Sequence, residues 1–389
     1  MANTKKRGNG DGSIYFSDAK KKWVGQVTTG RDTSGKLRRR TVYGKTKTEV
    51  KEKITGIKNE VMHQTYVAPD RITVAELLQT LIDEDRALNL ISDASYTRKI
   101  ATLARVEKSA LADLPIQSVK EQHVQAYLCS ITSYSNSIIH KDYGLLQRCF
   151  RDAVHRSIIV KNPMDFVRKP KSDKKDRKVR ALTKDEQRRL VEVLHDHDVR
   201  YKPQLLLMLY TGMRMGEINA LDVHDVNLTF NVITIRRTIT RDAHDHAIIG
   251  KTTKTYEGER TIPITPTVKP LLAQLLADYV PNRDDLLFYD YRKQSPLTTS
   301  QVNCVFQRLI KKHSILDPAI YGTVSQHSLR HTYATRCIEA GMSAKVLQTL
   351  LGHTDVTTTL NTYCDAFAEY QAESISKVDA YLAAQQLIG

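Results

Sequence analysis

Near the C-terminal end of the sequence, Gln326-His327-Ser328-Leu329-Arg330-His331-Thr332-Tyr333-Ala334-Thr335 is followed by Leu351-Gly352-His353 and then by Tyr363. His327 offers a proton-transfer group, Arg330 a fixed cation, His353 a second imidazole and Tyr363 a phenolic nucleophile. That set suits attack on a phosphodiester. Transfer of a DNA phosphoryl group needs a nucleophile, an acid for the leaving 5′ oxygen, and cations aimed at the oxygens where charge develops. Tyrosine suits the first role because it forms a covalent phosphodiester that is later displaced, so bond energy is kept through a strand exchange. Its free pKa of ~10 demands a neighbouring base or strong electrostatic help. Arginine suits the cation role because it stays charged and grips two oxygens at once. A second arginine, Arg214 in Thr211-Gly212-Met213-Arg214-Met215-Gly216-Glu217-Ile218, would complete the clamp.

Each of these residues has a plainer reading. His327 and His331, spaced i and i+4, could hold a metal on a helix, but no H-E-x-x-H glutamate or third ligand accompanies them. Arg214 could cap a helix or pair with Glu217. Tyr363 is one of 18 tyrosines, with Tyr370 as a neighbouring rival, and its place after L-G-H-T-D-V-T-T-T-L favours Tyr363. Gly250-Lys251-Thr252 resembles the end of a phosphate-binding loop, yet position 245, where that loop needs Gly, is Asp. The sequence offers no convincing acidic cluster for two-metal cleavage either. Neither a metal nor ATP is called for, and no cofactor is expected.

The elements that must position these groups fall into blocks. Ser13 to Phe16, Trp23 to Thr28 and Leu37 to Tyr43 are short β-rich runs separated by turns, and they predict an antiparallel three-stranded meander. Thr46-Lys47-Thr48-Glu49 then reads as a capping box opening a helix to about Met62. Around Trp23, Tyr15 and Tyr43 this block carries Lys20, Lys21, Lys22, Arg38, Arg39 and Arg40, and a β-ribbon of this size can enter a major groove. Trp23 itself reads as a core residue packed on the helix. Residues 72–168 read as all helical, with capping boxes at Thr73 and Ser118 and a long helix from about Asn136 to His155. Arg98, Lys99, Lys108, Lys141, Arg148 and Arg151 could face phosphate there, or form an ordinary solvated helix face.

Arg168 to Arg180 make a run too polar and charged to bury anything, opened by Arg168, Lys169 and Lys171, and residues 169–181 read as a basic interdomain linker. An extended linker along a DNA backbone, a solvent loop and a nuclear-import signal are its three readings. Thr183-Lys184-Asp185-Glu186 opens a third block, whose buried helix from Leu205 ends at Thr211-Gly212. Strands at Val232 to Arg237 and Arg260 to Ile264 follow, with a turn-rich stretch between them. Helices are expected at about Thr267 to Tyr279, Thr299 to His313, His327 to Ala340, Ser343 to Leu351 and Thr357 to Cys364.

Composition narrows the partner. The net charge of +16 across 389 residues creates a field suited to a polyanion, and double-stranded DNA is the first candidate. No apolar run reaches the ~18 residues a membrane span needs, so no membrane partner is expected. The start shows no apolar signal core. Five scattered cysteines without a C-x-x-C pair suggest neither disulfides nor a zinc module, and a reducing cytoplasm is the expected compartment.

Taken together, T-G-M-R-M-G-E, H-S-L-R-H-T-Y-A-T, L-G-H and N-T-Y resemble the signature of tyrosine recombinases, the phage-integrase family. The front block, G-D-G-S-I-Y to V-Y-G-K-T-K-T-E, is similar to the arm-site-binding domain of conjugative-transposon integrases. The resemblance covers essentially the whole chain. It implies that Arg214 and Arg330 hold the scissile phosphate, that His327 is the acid/base partner, that His353 hydrogen-bonds the phosphate and that Tyr363 becomes the 3′-phosphotyrosine. Glu217 resembles the acidic residue that supports the first arginine. The K-T…R-x-I-P form of Lys254 to Pro263 matches the family's catalytic-lysine hairpin and favours Lys254 as general acid, with Lys251 as its rival because hairpin register cannot be read from sequence.

The expected fold is multidomain α+β: a three-stranded sheet plus helix as arm-binding domain over 1–66, an all-α core-binding domain over 72–168, the linker, a mainly α catalytic domain with a small antiparallel sheet over 182–365, and a tail helix over 366–389. The resemblance implies an enzyme that integrates and excises a mobile element through a Holliday junction, as a tetramer on DNA. Its tails, with Ile375, Val378 and Leu382 on one face, would be exchanged between protomers. An excisionase or a host DNA-bending protein would assist it at the bacterial nucleoid. A DNA-binding regulator that has lost catalysis and a relaxing topoisomerase are the rival readings.

Overall fold

Alternating apolar residues in the first block do form a sheet. The structure is a computed structural model, and it describes residues 13–31, 34–63, 66–67, 71–175, 179–242, 246–251, 259–353, 355, 357, 360, 375, 378, 381–382 and 384–385. The chain divides into two compact units, Met1–Lys175 and Asp176–Gly389, the division falling within the basic run.

In the first unit β1 (Ser13–Ser17), β2 (Lys22–Arg31) and β3 (Leu37–Gly44) pair antiparallel in the order β1-β2-β3. Helix α1 (Lys47–Met62) starts where Thr46 accepts a hydrogen bond from the Glu49 amide, and it lays Val50, Ile54 and Ile57 on Val27 and Val42. Gly25 permits this close approach, since a Cβ there would stand 2.5 Å from Val50 Cγ1. Trp23 packs against the same cluster, edge-on to Phe16, as a core residue should. Strand alternation splits the arginine run: Arg39 shares the face of Tyr43, whereas Arg38 and Arg40 share that of Val42, beneath the helix. Three consecutive arginines therefore cannot meet one groove together.

Helices α2 (Val74–Ala87), α3 (Asp93–Val106), α4 (Glu121–Ser130) and α5 (Asn136–His155) enclose a second core that includes Leu78, Ile82, Val106, Leu128, Leu146 and Phe150. The Thr73 capping box is complete, but the one expected at Ser118 is not. Ser118 ends a short 3₁₀ turn, its hydroxyl donating 2.8 Å back to the Pro115 carbonyl, so Lys120 takes the N-cap position. The His123 ring nitrogen accepts from the Lys120 amide at 3.1 Å in place of the expected carboxylate. Two carboxylates under this helical block are buried: Asp85 is paired with the cations Arg148 and Lys99, and Asp142 with the cation Arg105 while accepting a hydrogen bond from the Tyr127 hydroxyl.

The second unit opens with α6 (Lys184–Asp196), whose Thr183 box is complete, and α7 (Lys202–Thr211), apolar all round and buried. A short helix α8 (Met215–Asn219) follows. Strands β4 (Val226–Asn227), β5 (Val232–Ile235) and β8 (Arg260–Pro263) form one antiparallel sheet in that order. Between β5 and β8, in the stretch expected to be turn-rich, β6 (Arg237–Arg241) and β7 (Ala247–Lys251) make a second antiparallel pair. Helix α9 (Lys269–Ala277), the short pair β9 (Tyr289–Asp290) and β10 (Ser295–Pro296), and helices α10 (Thr299–Lys312), α11 (His327–Glu339) and α12 (Ala344–Leu351) complete it. Most of the expected Thr357 to Cys364 helix lies outside the described residues. The mixed α+β expectation holds. Among the described residues no helix is long and apolar enough to cross a membrane.

Candidate active site

Four elements converge on the C-terminal end of α12. Gly212 terminates α7 in the left-handed conformation, at φ 67°, and lets the chain turn into Arg214, the N-cap residue of α8. A Cβ at Gly212 would meet the Tyr333 ring at 2.4 Å, so helix α11 passes too close for any other residue. Arg330 on α11 is 1 % exposed, and its guanidinium donates to the carbonyl oxygens of Gly212 and Leu351, both at 2.7 Å. Arg214 donates to the Gly352 carbonyl at 3.1 Å and to Glu217 Oε1 at 2.9 Å. Buried Glu217 is also gripped by Arg260 of β8, at 3.0 and 2.6 Å, and Arg260 donates in turn to the Leu350 carbonyl at 3.0 Å. Three guanidinium groups thus cap three successive carbonyls, 350, 351 and 352, at the negative end of α12.

The imidazoles gather at the same place. The rings of His327 and His331 lie edge to face with centroids 4.9 Å apart. Burial of most of its ring, followed by the fields of His331, Arg330 and Arg214, pushes His327 down to about 4. His353 also falls to about 4, through burial first and then the charges of Arg330, Arg214, His331 and Arg260. His331 is lowered by burial and Arg330. At neutral pH these rings are uncharged, each able to accept a proton. Burial alone would raise the Glu217 carboxyl, but hydrogen bonds and charge from Arg260, then Arg214, hold it below the usual range.

The structure therefore brings Arg214, His327, Arg330 and His353 together around the end of α12. Tyr363 and Lys254 lie outside the described residues, as does the side chain of Lys251, whose backbone ends β7. Sequence reasoning gave Arg260 no role, although it stands in the R-x-I-P motif, and considered His331 only as a metal ligand. Among the described residues no group of three His, Cys, Asp or Glu is arranged to hold a metal.

The residues proposed for DNA contact are scattered. Lys21, Lys22, Arg38 and Arg39 are exposed, while Arg40 is half-buried with its guanidinium 5.8 Å from the Tyr66 ring centre. Arg98 is exposed, with its Nε turned to the Ala94 carbonyl at 2.8 Å. Lys99 is committed to Asp85 at 2.6 Å, which leaves it poorly placed to hold a phosphate as well. Arg168, Lys169 and Lys171 are exposed after the helical block, Lys169 with its ammonium 3.0 Å from the His140 ring.

Known proteins bear on this arrangement. Residues 180–369 match the model of the phage integrase family. A XerC-like tyrosine recombinase of Caldanaerobacter subterraneus is 25 % identical over 94 % of this chain and 97 % of its own length. The transposase from transposon Tn916 of Enterococcus faecalis is 28 % identical over 67 % of each chain. Among solved structures, the Tn1549 transposon integrase in complex with a circular intermediate DNA superposes with a TM-score of 0.67 at 24 % identity, over 78 % of this chain and 99 % of that one. A lambda integrase tetramer bound to a Holliday junction gives 0.56 at 17 % identity, over 92 % and 96 %, and both likenesses speak for the fold. With the two arginines, the histidines and the motif order all in that family's arrangement, residues 180–369 form a phage integrase family domain and the chain is a tyrosine recombinase.

Proposed function

We propose that this recombinase integrates and excises a mobile element of the conjugative-transposon kind, cutting and rejoining DNA strands through a 3′-phosphotyrosine. The observation that carries the reading is the convergence of Arg214, Arg330, His327 and His353 at one helix end, two fixed cations beside two neutral imidazoles. In this reading Arg214 and Arg330 hold the non-bridging oxygens of the scissile phosphate and stabilise the charge that develops on them. His327 accepts the proton of Tyr363 as its oxygen attacks phosphorus, and the 3′ phosphate passes to the tyrosine while the 5′ oxygen leaves. His353 donates to a phosphate oxygen. Lys254, or Lys251, protonates the leaving 5′ oxygen. Attack by a 5′ hydroxyl from the partner duplex then reverses the step and restores the tyrosine, so neither ATP nor metal is consumed.

Residues 1–66 act as arm-site binder, 72–168 as core-site binder, 169–181 as the linker between them and a catalytic domain over 182–365. Four protomers exchange strands through a Holliday junction, with tails from 366–389 reaching a neighbour. Ile375 and Val378 are 70 % and 55 % exposed, which supports a tail with an apolar surface to give. An excisionase or a DNA-bending protein of the host nucleoid would set direction. A regulator that merely occupies its sites has no use for two depressed histidines beside two arginines, and a topoisomerase has no use for the arm-binding block.

The test is a DNA duplex nicked near the crossover, so that cleavage cannot be reversed, incubated in EDTA with wild type and with Tyr363→Phe. A covalent protein–DNA band that survives denaturant for wild type and is absent for the variant is the expected result. Binding without an adduct in both would favour the regulator.

A further inference from the structure

Glu217 stands between Arg214, three residues before it, and Arg260, 43 residues after it. Arg260 donates to both carboxylate oxygens, with its side chain 7 % exposed, while Arg214 keeps one bond to Oε1 and leaves 40 % of its side chain open. Among the described residues neither arginine has a second carboxylate within ion-pair distance. One negative charge is therefore shared by two positive ones. A lone Glu217–Arg214 pair would be oriented but electrically neutral, and a neutral pair attracts a phosphate only weakly. Glu217 without Arg260 would trade charge for orientation; with it, Arg214 has both.

We infer that Arg260 is a positioning residue whose charge cancels that of Glu217, so that Arg214 presents its full positive charge to the DNA phosphate. The inference rests on the reading of Arg214 as a phosphate ligand. The backbone around Arg260 is built to hold this arrangement. Its Nε donates to the Leu350 carbonyl, one residue before the carbonyl that Arg330 grips and two before the one that Arg214 grips. Gly352 passes over its guanidinium at φ 66°, where a Cβ would come within 2.8 Å of Nη1. Arg260 is thus locked against Glu217 from one side and against the end of α12 from the other. The plainer alternative is that it merely ties β8 to α8 and α12.

Charge and mere tethering separate in a rescue experiment. The full chain is assayed for adduct formation on the nicked duplex as wild type, Arg260→Gln, Glu217→Gln and the double variant, with melting temperature measured on each. Arg260→Gln leaves Glu217 to cancel Arg214, and cleavage is expected to fall by about 100-fold, the scale of losing one donor to the developing charge. The double variant removes that negative charge and is expected to cleave about tenfold faster than Arg260→Gln. A double variant no faster than the single overturns the inference. If Arg260→Gln does not fold, Arg260→Lys, which keeps charge without the fork, is expected within about tenfold of wild type, and a loss of about 100-fold overturns it.

A binding readout keeps this apart from catalysis. Wild type is expected to prefer a duplex with an ordinary scissile phosphate over one with an uncharged methylphosphonate there, a preference lost in Arg260→Gln and regained in the double variant. That pattern without any wild-type adduct would sink the recombination mechanism and leave the charge role standing. Its absence in binding would overturn the charge role even if cleavage were intact.

Discussion

His327 and His353 are both held near 4 in the absence of DNA, and the sign of the consequence follows from proton binding. Between about 6.5 and 4 the unfolded chain carries protons on these rings that the folded chain excludes. Stability contributed by the neutral rings is complete above the unfolded value and is lost as pH falls through that window. DNA-free protein is therefore expected to melt at progressively lower temperature as pH drops from 6.5 toward 4, with a shallower decline in a variant carrying His327→Gln and His353→Gln. An identical decline in the variant would mean that these rings are not depressed. Opposite pressure comes from DNA, since a phosphate beside them favours the imidazolium. At this scale the sequence was legible where residue type is unusual: two histidines, two arginines and their spacing pointed to one site. The Arg260–Glu217 pair was not, because its partners meet only after β8 and α8 are brought side by side.

Among the elements, the helices of the first unit are tied together by carboxylates that a helical-periodicity reading passes over. Asp85 on α2 is 3 % exposed, and Arg148 of α5 grips both its oxygens at 2.5 Å while Lys99 of α3 adds a bond at 2.6 Å. One acidic side chain thus joins three helices. Hydrogen bonds from Arg148, against the opposing effect of burial, and then from Lys99 bring it down to about 2. Removing a buried partner typically costs about 3–5 kcal/mol, but the Arg148 side chain is 41 % exposed and can regain water. Asp85→Ala is therefore expected to lose about 2–3 kcal/mol in denaturant unfolding of the helical block, below that range. A change under about 0.5 kcal/mol would show the cluster to be no more than a surface ion pair. The depressed Asp85 contributes stability above about 3.8 that is lost as pH falls through about 2, well below the histidine window. Amphipathic spacing made the helices readable. It could not show that Lys99 faces Asp85 rather than DNA, and the β6–β7 pair escaped because only Ile239, Ala247 and Ile249 in it pack inward among polar neighbours.

For the whole molecule the deciding quantity is how much positive charge survives internal pairing. Lys and Arg number 59 against 43 Asp and Glu, and the pairs at Asp85, Asp142, Glu186, Glu217 and Asp225 show acidic groups spent on holding the fold. Pairing consumes both signs equally, so the excess of +16 is unchanged by it and must lie on cations that fold-holding carboxylates do not neutralise. Exposed Lys21, Lys22, Arg38, Arg39, Arg98, Arg168, Lys169 and Lys171 are among them. Each cation that meets a phosphate releases a condensed counterion, and affinity then falls as a power of salt concentration. If half a dozen or more phosphates are covered, affinity for a core-plus-arm duplex should drop by about 10³-fold or more between 50 and 200 mM salt. Substituting Lys169 and Lys171 by Gln should reduce the logarithmic slope by roughly 1.8, about 0.9 for each contact. Lys99→Gln, by contrast, should leave the slope where it is, because its ammonium is bonded to Asp85 at 2.6 Å and so is poorly placed to meet a phosphate. Fluorescence anisotropy across a salt series measures all three, and a slope that moved for Lys99 but not for the linker pair would reverse the assignment of which cations meet DNA.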